Sequence, residues 1–247
     1  MKQHEAVIQT LEKLGGVATL GQLNREVFKI KDCKWNTKTP FASIRRIVQL
    51  DKNIYKIKPG LYGLLKLKKS IENRGIIQEN AKNLNSKELI EINHSYYQGL
   101  LLTTGNLKGL KTFIPNQDKN RLFLNTKLGD LRTADSLPEY TYPSIVKRSS
   151  TIDVIWLNER GMPHSFFEVE HSTDIQNSLL KFNDLQDFHS RMVIVADTKR
   201  KKEYLDKIKY SSFKDLSKNN RVSFLDFETL CKQYESLIEQ DKMGFIL

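Results

Sequence analysis

Three carboxylates carry the strongest chemical signal in this sequence. Asp153 lies in Thr-Ile-Asp-Val-Ile-Trp, and Glu168 and Glu170 lie in Phe-Phe-Glu-Val-Glu-His, each inside an otherwise apolar run. Side chains of a strand alternate with period two, so Glu168 and Glu170 share a face. A short turn holding Gly161 joins the two runs and predicts antiparallel neighbours, which would bring Asp153 close to the Glu pair. Acids set among apolar residues repel one another, and desolvation raises their pKa values. A divalent cation resolves that cost. Oxygen donors without Cys or His favour Mg2+, with the Val169 carbonyl as a further ligand. Such a centre suits phosphodiester hydrolysis, in which a metal activates water and neutralises charge growing on phosphorus. Taken one at a time, each acid reads as a strand-end carboxylate in solvent or beside Lys or Arg. The pattern D…ExE across two adjacent strands favours the metal.

Other chemistries leave no mark. Cys33 and Cys231 are far apart and form no CxxC pair, zinc ribbon or disulfide framework. The five histidines are scattered, without HExxH, and there is no GxxxxGK[ST] or GxGxxG loop for nucleotide phosphates.

The elements that must position the acids follow from periodicity. The chain has 247 residues, 39% hydrophobic and 28% charged, as in an ordinary globular protein. Its longest apolar run, five residues at 192–196, is far short of a membrane span, and the N-terminus has no signal-peptide core, so a cytoplasmic protein without a membrane partner is expected. Residues 87–247 alternate between helix and strand. Helix is expected at 87–104, strands at 111–114, 151–157, 165–170, 192–196 and 222–225, and helices at 174–188, 198–209 and 227–240. This is an α/β domain around a central sheet. Residues 116–145 read as polar and irregular, and 66–86 as a Lys- and Asn-rich linker, in part helical.

Residues 1–65 read as a separate unit. Val7, Leu11 and Leu14 make one helical stripe, ended at Gly15-Gly16, and 19–28 gives a second helix. Thr39-Pro40 starts a third, which buries Ile44, Ile47 and Val48 and leaves Ser43, Arg45, Arg46 and Gln49 outward. Strands 54–58 and 61–64 follow, joined at Pro59-Gly60. Helix, helix, helix, hairpin is the order of a winged helix-turn-helix, whose third helix can enter the major groove of DNA. Arg45, Arg46 and Gln49 are then the expected base readers, and Lys52, Lys56 and Lys58 the phosphate contacts. Charge agrees. The net charge is +11, and residues 1–82 hold 17 Lys and Arg against 7 Asp and Glu, so nearly all the excess lies in the first third, as suits a polyanion partner. Lys119, Arg121, Arg132, Lys147 and Arg148 offer a second contact surface.

Two resemblances sharpen this reading. Residues 87–226 resemble the PD-(D/E)XK nuclease superfamily in element order. Asp153 and Glu168 match its first two acids, and Phe-Glu-Val-Glu-His-Ser-Thr-Asp-Ile at 167–175 looks like the form seen in some predicted restriction endonucleases. Residues 1–65 resemble HARE-HTH winged helices through Thr39-Pro40-x-x-Ser43-Ile44-x-Arg46 and Pro59-Gly60-Leu61-Tyr62-Gly63-Leu64. The resemblance implies a restriction-endonuclease-like fold, with a mixed central sheet flanked by helices. It implies Asp153 and Glu168 as metal ligands, and Glu170 as a ligand or general base. The superfamily's lysine position holds Glu170 here, as in an active subgroup or in a damaged site. Lys181, on the helix after the motif, is a candidate for the missing positive charge. Glu88, Glu91 and Gln98 lie on the helix that often lends an extra acid. The run 199–202 is a candidate phosphate contact, and His171 is expected to pack on the other strand face.

The expected function is a Mg2+-dependent, sequence-specific double-stranded DNA endonuclease of Type II restriction kind, working as a homodimer to cut both strands. The rivals are a nuclease that cuts only modified DNA and a DNA-binding regulator whose nuclease fold is inactive.

Overall fold

The computed structural model describes residues 1–80, 83, 86–218 and 220–244. Among them are eleven α-helices and three sheets, in a mixed α/β chain that divides into two compact units: Met1–Ile92 with Cys231–Leu247, and Asn93–Leu230. No helix among the described residues is long and apolar enough to cross a membrane.

The first unit opens with α1 (Gln3–Lys13), whose Glu5 carboxylate accepts a hydrogen bond from the Lys2 backbone N at 2.8 Å. Gly16 holds φ at +87°, where glycine is favoured, and turns the chain into β1 (Val17–Thr19). Thr19 caps α2 (Leu20–Glu26): its hydroxyl accepts from Gln22 N at 3.0 Å, while Gln22 Oε1 accepts from Thr19 N at 2.9 Å. Proline at the first position starts α3 (Pro40–Leu50), which buries Phe41, Ile44 and Val48. β2 (Ile54–Lys58) and β3 (Leu61–Leu64) form the hairpin, and β1 pairs with β3 to complete a three-stranded antiparallel sheet in the order β1-β3-β2. Ala6, Leu11, Leu23, Ile44 and Leu64 are among the residues of one core. Each Leu or Ile side chain among them contributes about 1.5–3 kcal/mol by burial.

The expected linker 66–86 is in part structured. It holds α4 (Lys68–Asn73), and Ile71 and Ile76 are buried, so apolar side chains hold the chain down as far as residue 76. Residues 81, 82, 84 and 85 of that stretch lie outside the described residues.

The second unit contains most of α5 (Lys87–Leu107), then β4 (Lys111–Phe113). The polar stretch expected to be irregular contains a two-stranded hairpin, β5 (Leu122–Phe123) and β6 (Thr126–Lys127), then α6 (Leu128–Leu131) and the start of α7 (Pro143–Ser149). β7 (Val154–Leu157) and β8 (Pro163–Glu170) follow, then α8 (Ile175–Asn183), β9 (Arg191–Ala196), α9 (Lys201–Lys207), α10 (Lys214–Lys218), β10 (Val222–Asp226) and α11 (Phe227–Met243).

The main sheet has the order β10-β9-β8-β7-β4. β7 is antiparallel to β4 and β8, whereas β8, β9 and β10 run parallel. The unbroken apolar run of β9 fits this central position, with neighbours on both edges. Ile155, Phe166, Phe182, Ile194 and Phe213 lie in its core.

The boundary between units falls within α5 and α11. The sequence reading places all of 227–240 with the second domain, yet from Cys231 onward α11 belongs to the first unit. There Tyr234 and Ile238, both buried, lie so close to Gly21 that a Cβ at Gly21 would stand 2.6 Å and 2.7 Å from their side-chain carbons.

Candidate active site

The sheet places the three acids together. β7 and β8 pair with Val154 opposite Phe167. Continued by one residue, that register sets Asp153 opposite Glu168. Asp153 stands just ahead of β7 rather than inside it, and its Oδ2 accepts a hydrogen bond from Val169 N at 2.8 Å. Glu168 and Glu170 project from one face of β8 and are buried, at 2% and 4% exposure.

Cations and hydroxyls from the following segments meet this pair. Lys181 Nζ donates to both Glu168 oxygens, at 3.0 Å and 2.9 Å, and to the Thr151 carbonyl at 3.0 Å. Ser178 and Lys181 are three apart on α8 and so share a face. The Ser178 hydroxyl donates to Glu168 at 3.1 Å and also to Glu170. Thr173 Oγ1 donates to Glu170, and Arg200 Nη1 lies 3.7 Å from the same carboxylate. Arg200 is itself fixed by Glu203 at 2.8 Å and by the Thr173 carbonyl at 2.6 Å.

The environment drives neighbouring carboxylates apart in acidity. Burial and the nearby Asp153 charge push Glu168 well above the usual carboxylate range, against the pull of Lys181. Burial also raises Glu170, opposed by the Ser178 and Thr173 hydrogen bonds. Burial would raise Asp153 too, but His94, the Val169 N–H and Lys181 together hold it below its ordinary value. Opposed shifts in adjacent acids are a pattern that divides acid from base roles.

A further cluster lies on the other side of Asp153. His94 Nε2 is 3.4 Å from Asp153 Oδ1. Ligand atoms of His94, Asp118 and Asp153 all lie within 4.8 Å of one another. Gln98, fully buried, donates from Nε2 to Asp118 Oδ2 at 3.0 Å and to the Asp153 carbonyl at 3.3 Å. Arg121 Nε pairs with Asp118 Oδ1 at 3.0 Å. Burial lowers the His94 pKa, but the Asp153 hydrogen bond and charge outweigh it, so the net direction is upward. The sequence reading singled out Gln98 but neither His94 nor Asp118. His94 and Gln98 are four apart on one helix face, a signal the sequence carries. Asp118 sits in an aperiodic polar stretch, where spacing gives no signal of it.

Of the other candidates, Arg200 reaches Glu170, and most of the rest are exposed or engaged elsewhere. Glu88 and Glu91 are exposed on α5. His171 packs its ring on Tyr97 and Phe227, at 5.8 Å and 4.8 Å between centroids. In the run 199–202, Lys199, Lys201 and Lys202 are exposed, whereas Arg200 turns inward to Glu203 and Glu170. Lys119 and Lys147 are exposed; Arg132 donates to Asn116 Oδ1 at 3.0 Å, and Arg148 to Asp184 at 2.7 Å.

The expected DNA readers of the first unit also divide. Arg46, Gln49, Lys52 and Lys56 are exposed. Ser43 is half-buried and its hydroxyl donates to the Thr39 carbonyl at 3.3 Å. Arg45 is engaged by two acids of α11, Glu235 at 3.4 Å and Glu239 at 3.3 Å. Lys58 departs from expectation. It is 3% exposed, and burial pushes its pKa down to about 8, so in this conformation its ammonium faces no phosphate. It falls at a bulge in the β2–β3 pairing, where the register shifts between Lys56 and Lys58 and strand alternation is interrupted.

No curated protein and no solved structure matches the chain. One family model does, the Type II restriction enzyme NmeDI C-terminal domain, over residues 76–246. The match takes in β7, β8 and α8, and therefore all three acids and Lys181. Since it spans more than half of the chain, this protein belongs to the family of the Type II restriction enzyme NmeDI C-terminal domain.

Proposed function

We propose that this protein is a Mg2+-dependent, sequence-specific endonuclease of double-stranded DNA with an ExE variant of the PD-(D/E)XK site. The observation that carries the reading is the meeting of Asp153, Glu168 and Glu170 at the β7–β8 junction, with Lys181 bound to Glu168. Membership of a restriction-enzyme family supports it.

The donor set fits a hard divalent cation: carboxylates from two adjoining strands, with the Val169 main chain between the two glutamates. Asp153, Glu168 and the Val169 carbonyl would hold Mg2+, which supplies a bound water of lowered pKa and charge neutralisation at the phosphate. The raised pKa of Glu170 suits it to accept a proton from the attacking water. Lys181 provides the positive charge that the motif itself lacks, since α8 brings its ammonium to the acid that would share the metal.

In this reading the first unit is a winged helix that carries the site to DNA. α3 enters the major groove, Arg46 and Gln49 read base edges, and Lys52 and Lys56 hold phosphates. Two copies acting at a two-fold site would cut both strands.

The test is incubation of unmethylated and methylated plasmid DNA with the protein in Mg2+ or EDTA, beside the Glu168→Ala variant. Discrete Mg2+-dependent fragments from the wild type alone are expected. Fragments from methylated DNA alone would replace this reading by modification-dependent cutting. One observation favours an inactive DNA-binding regulator: Glu170 is occupied by Thr173, Ser178 and Arg200. Gel retardation of DNA without any cutting would establish it.

A further inference from the structure

We propose that Arg200, the residue just ahead of α9, is a positioning residue for Glu170: it fixes that carboxylate and the turn from β8 to α8 on which the second glutamate depends. This role rests on the nuclease reading above.

The guanidinium is anchored along one edge. Its Nε donates to Glu203 Oε2 at 3.0 Å, and its Nη2 donates to the same carboxylate at 2.9 Å and 2.8 Å and to the Thr173 carbonyl at 2.6 Å. A planar group held by so many bonds cannot turn without breaking several of them. The remaining nitrogen, Nη1, is the one that faces the site. It is a buried atom with no hydrogen-bond partner among the described residues, and it stands 3.7 Å from Glu170 Oε2. The two side chains are 15% and 5% exposed, so solvent and salt screen their attraction less than on the surface. Glu203 alone balances the Arg200 charge. An ion pair that served only to hold α9 would need neither Thr173 nor Glu170.

Arg200 reaches Glu170 by a second path. Thr173, whose carbonyl it holds, donates its own hydroxyl to Glu170. α9 also grips the residues that follow. Lys207 pairs with Asp174, the N-cap of α8, and Glu203 Oε1 accepts from Ile175 N at 3.4 Å. The turn 171–174 therefore sets where α8 begins, and α8 carries Ser178 and Lys181 to the glutamates. A base that takes a proton from attacking water works only from a narrow range of positions. At 3.7 Å Arg200 orients Glu170 without a hydrogen bond of its own, and a carboxylate oxygen can accept more than the one bond that Thr173 supplies.

The experiment compares full-length wild type, Arg200→Ala, Arg200→Lys and Glu203→Gln in single-turnover cleavage of plasmid DNA, in DNA retardation, and in hydrogen–deuterium exchange without metal. Arg200→Ala is expected to lower the cleavage rate by about a hundredfold while DNA affinity stays within about threefold. Glu203→Gln loosens Arg200 without emptying its place and should cost about tenfold, with no further loss when added to Arg200→Ala. Arg200→Lys should recover part of the rate, since an ammonium can hold Glu170 or Glu203 but not both in one fork. Amides of 171–174 should exchange faster in Arg200→Ala, with β9 still protected. An undiminished rate in Arg200→Ala, beside a wild type that cuts, would overturn the role and leave the nuclease reading standing. Equal loss of cutting, DNA binding and β9 protection would overturn it as well, by making Arg200 a support of the fold alone. A wild type that does not cut would overturn the nuclease reading and this role with it.

Discussion

In the first unit Arg46, Gln49, Lys52 and Lys56 stand in solvent on α3 and just beyond it, whereas in the second Glu168 and Glu170 are buried and their oxygens are held by Lys181, Ser178, Thr173 and Arg200. Exposed cations are screened by water and salt and act nearly independently. Buried acids are coupled to one another and to their partners, so moving one changes the rest. Surface charge of the first kind suits binding that many small contacts share. Charge of the second kind suits a reaction, because its groups are already oriented and their acidities already separated.

If the contrast holds, substitutions in the second unit abolish events and those in the first grade them. The largest effect belongs to Glu168→Ala, expected to lower cleavage by more than about a thousandfold while leaving DNA retardation within about threefold. Equal loss of binding and cutting would erase the division of labour. Next, Lys181→Ala is expected to lower cleavage by about a hundredfold, and Lys181→Arg to restore part of it, as measured in single-turnover assays at saturating Mg2+. Full activity in Lys181→Ala would mean that the ammonium only balances a buried charge.

Third in size is a pH effect without metal. The folded-state pKa of Glu168 is raised above its unfolded value, so the fold binds this proton more tightly than the unfolded chain. Below pH ~4.5 the group contributes nothing. As pH rises beyond that, stability is lost progressively until the folded-state pKa is passed. Glu168→Gln removes the penalty, and its amide can still accept from Lys181. In EDTA the variant should therefore be more stable than the wild type at pH 8 and equal to it at pH 4, read by urea unfolding. A difference independent of pH would refute the shift.

Smaller effects are expected in the first unit. Arg46→Ala or Gln49→Ala should cost about 1–3 kcal/mol at particular base pairs and relax the preferred site. Lys52→Ala and Lys56→Ala should each weaken binding to all sequences and reduce the salt slope by about one. Smallest is the release of Arg45 from its α11 partners: Glu239→Gln should strengthen DNA binding by a fewfold in a low-salt titration. Unchanged or weaker binding would show that Arg45 serves the packing of α11 instead.

Legibility followed the length and marking of each element. α3 and the hairpin have the bounds read from the sequence, because Pro40 and Pro59-Gly60 mark their ends through fixed or positive φ. β1 escaped notice because three residues, all buried, show no alternation. The small hairpin of β5 and β6 escaped for the same reason of length. In the candidate site, Glu168 and Glu170 were legible as a pair because period two sets them on one face. Lys58 is buried at a bulge that interrupts that same period.

The sequence by itself determined the local terms: where helices start, which strand face carries the acids, and that the first third of the chain is basic. These depend on neighbours a few residues apart and on composition. Only the tertiary structure decided which groups meet. It brought His94, Asp118 and Asp153 together from three segments, seated Lys181 on Glu168, and returned α11 to the first unit, where it claims Arg45. Contacts across 13 to 194 residues leave no period in a sequence, because they follow from the order and register of the strands and the packing of helices rather than from spacing.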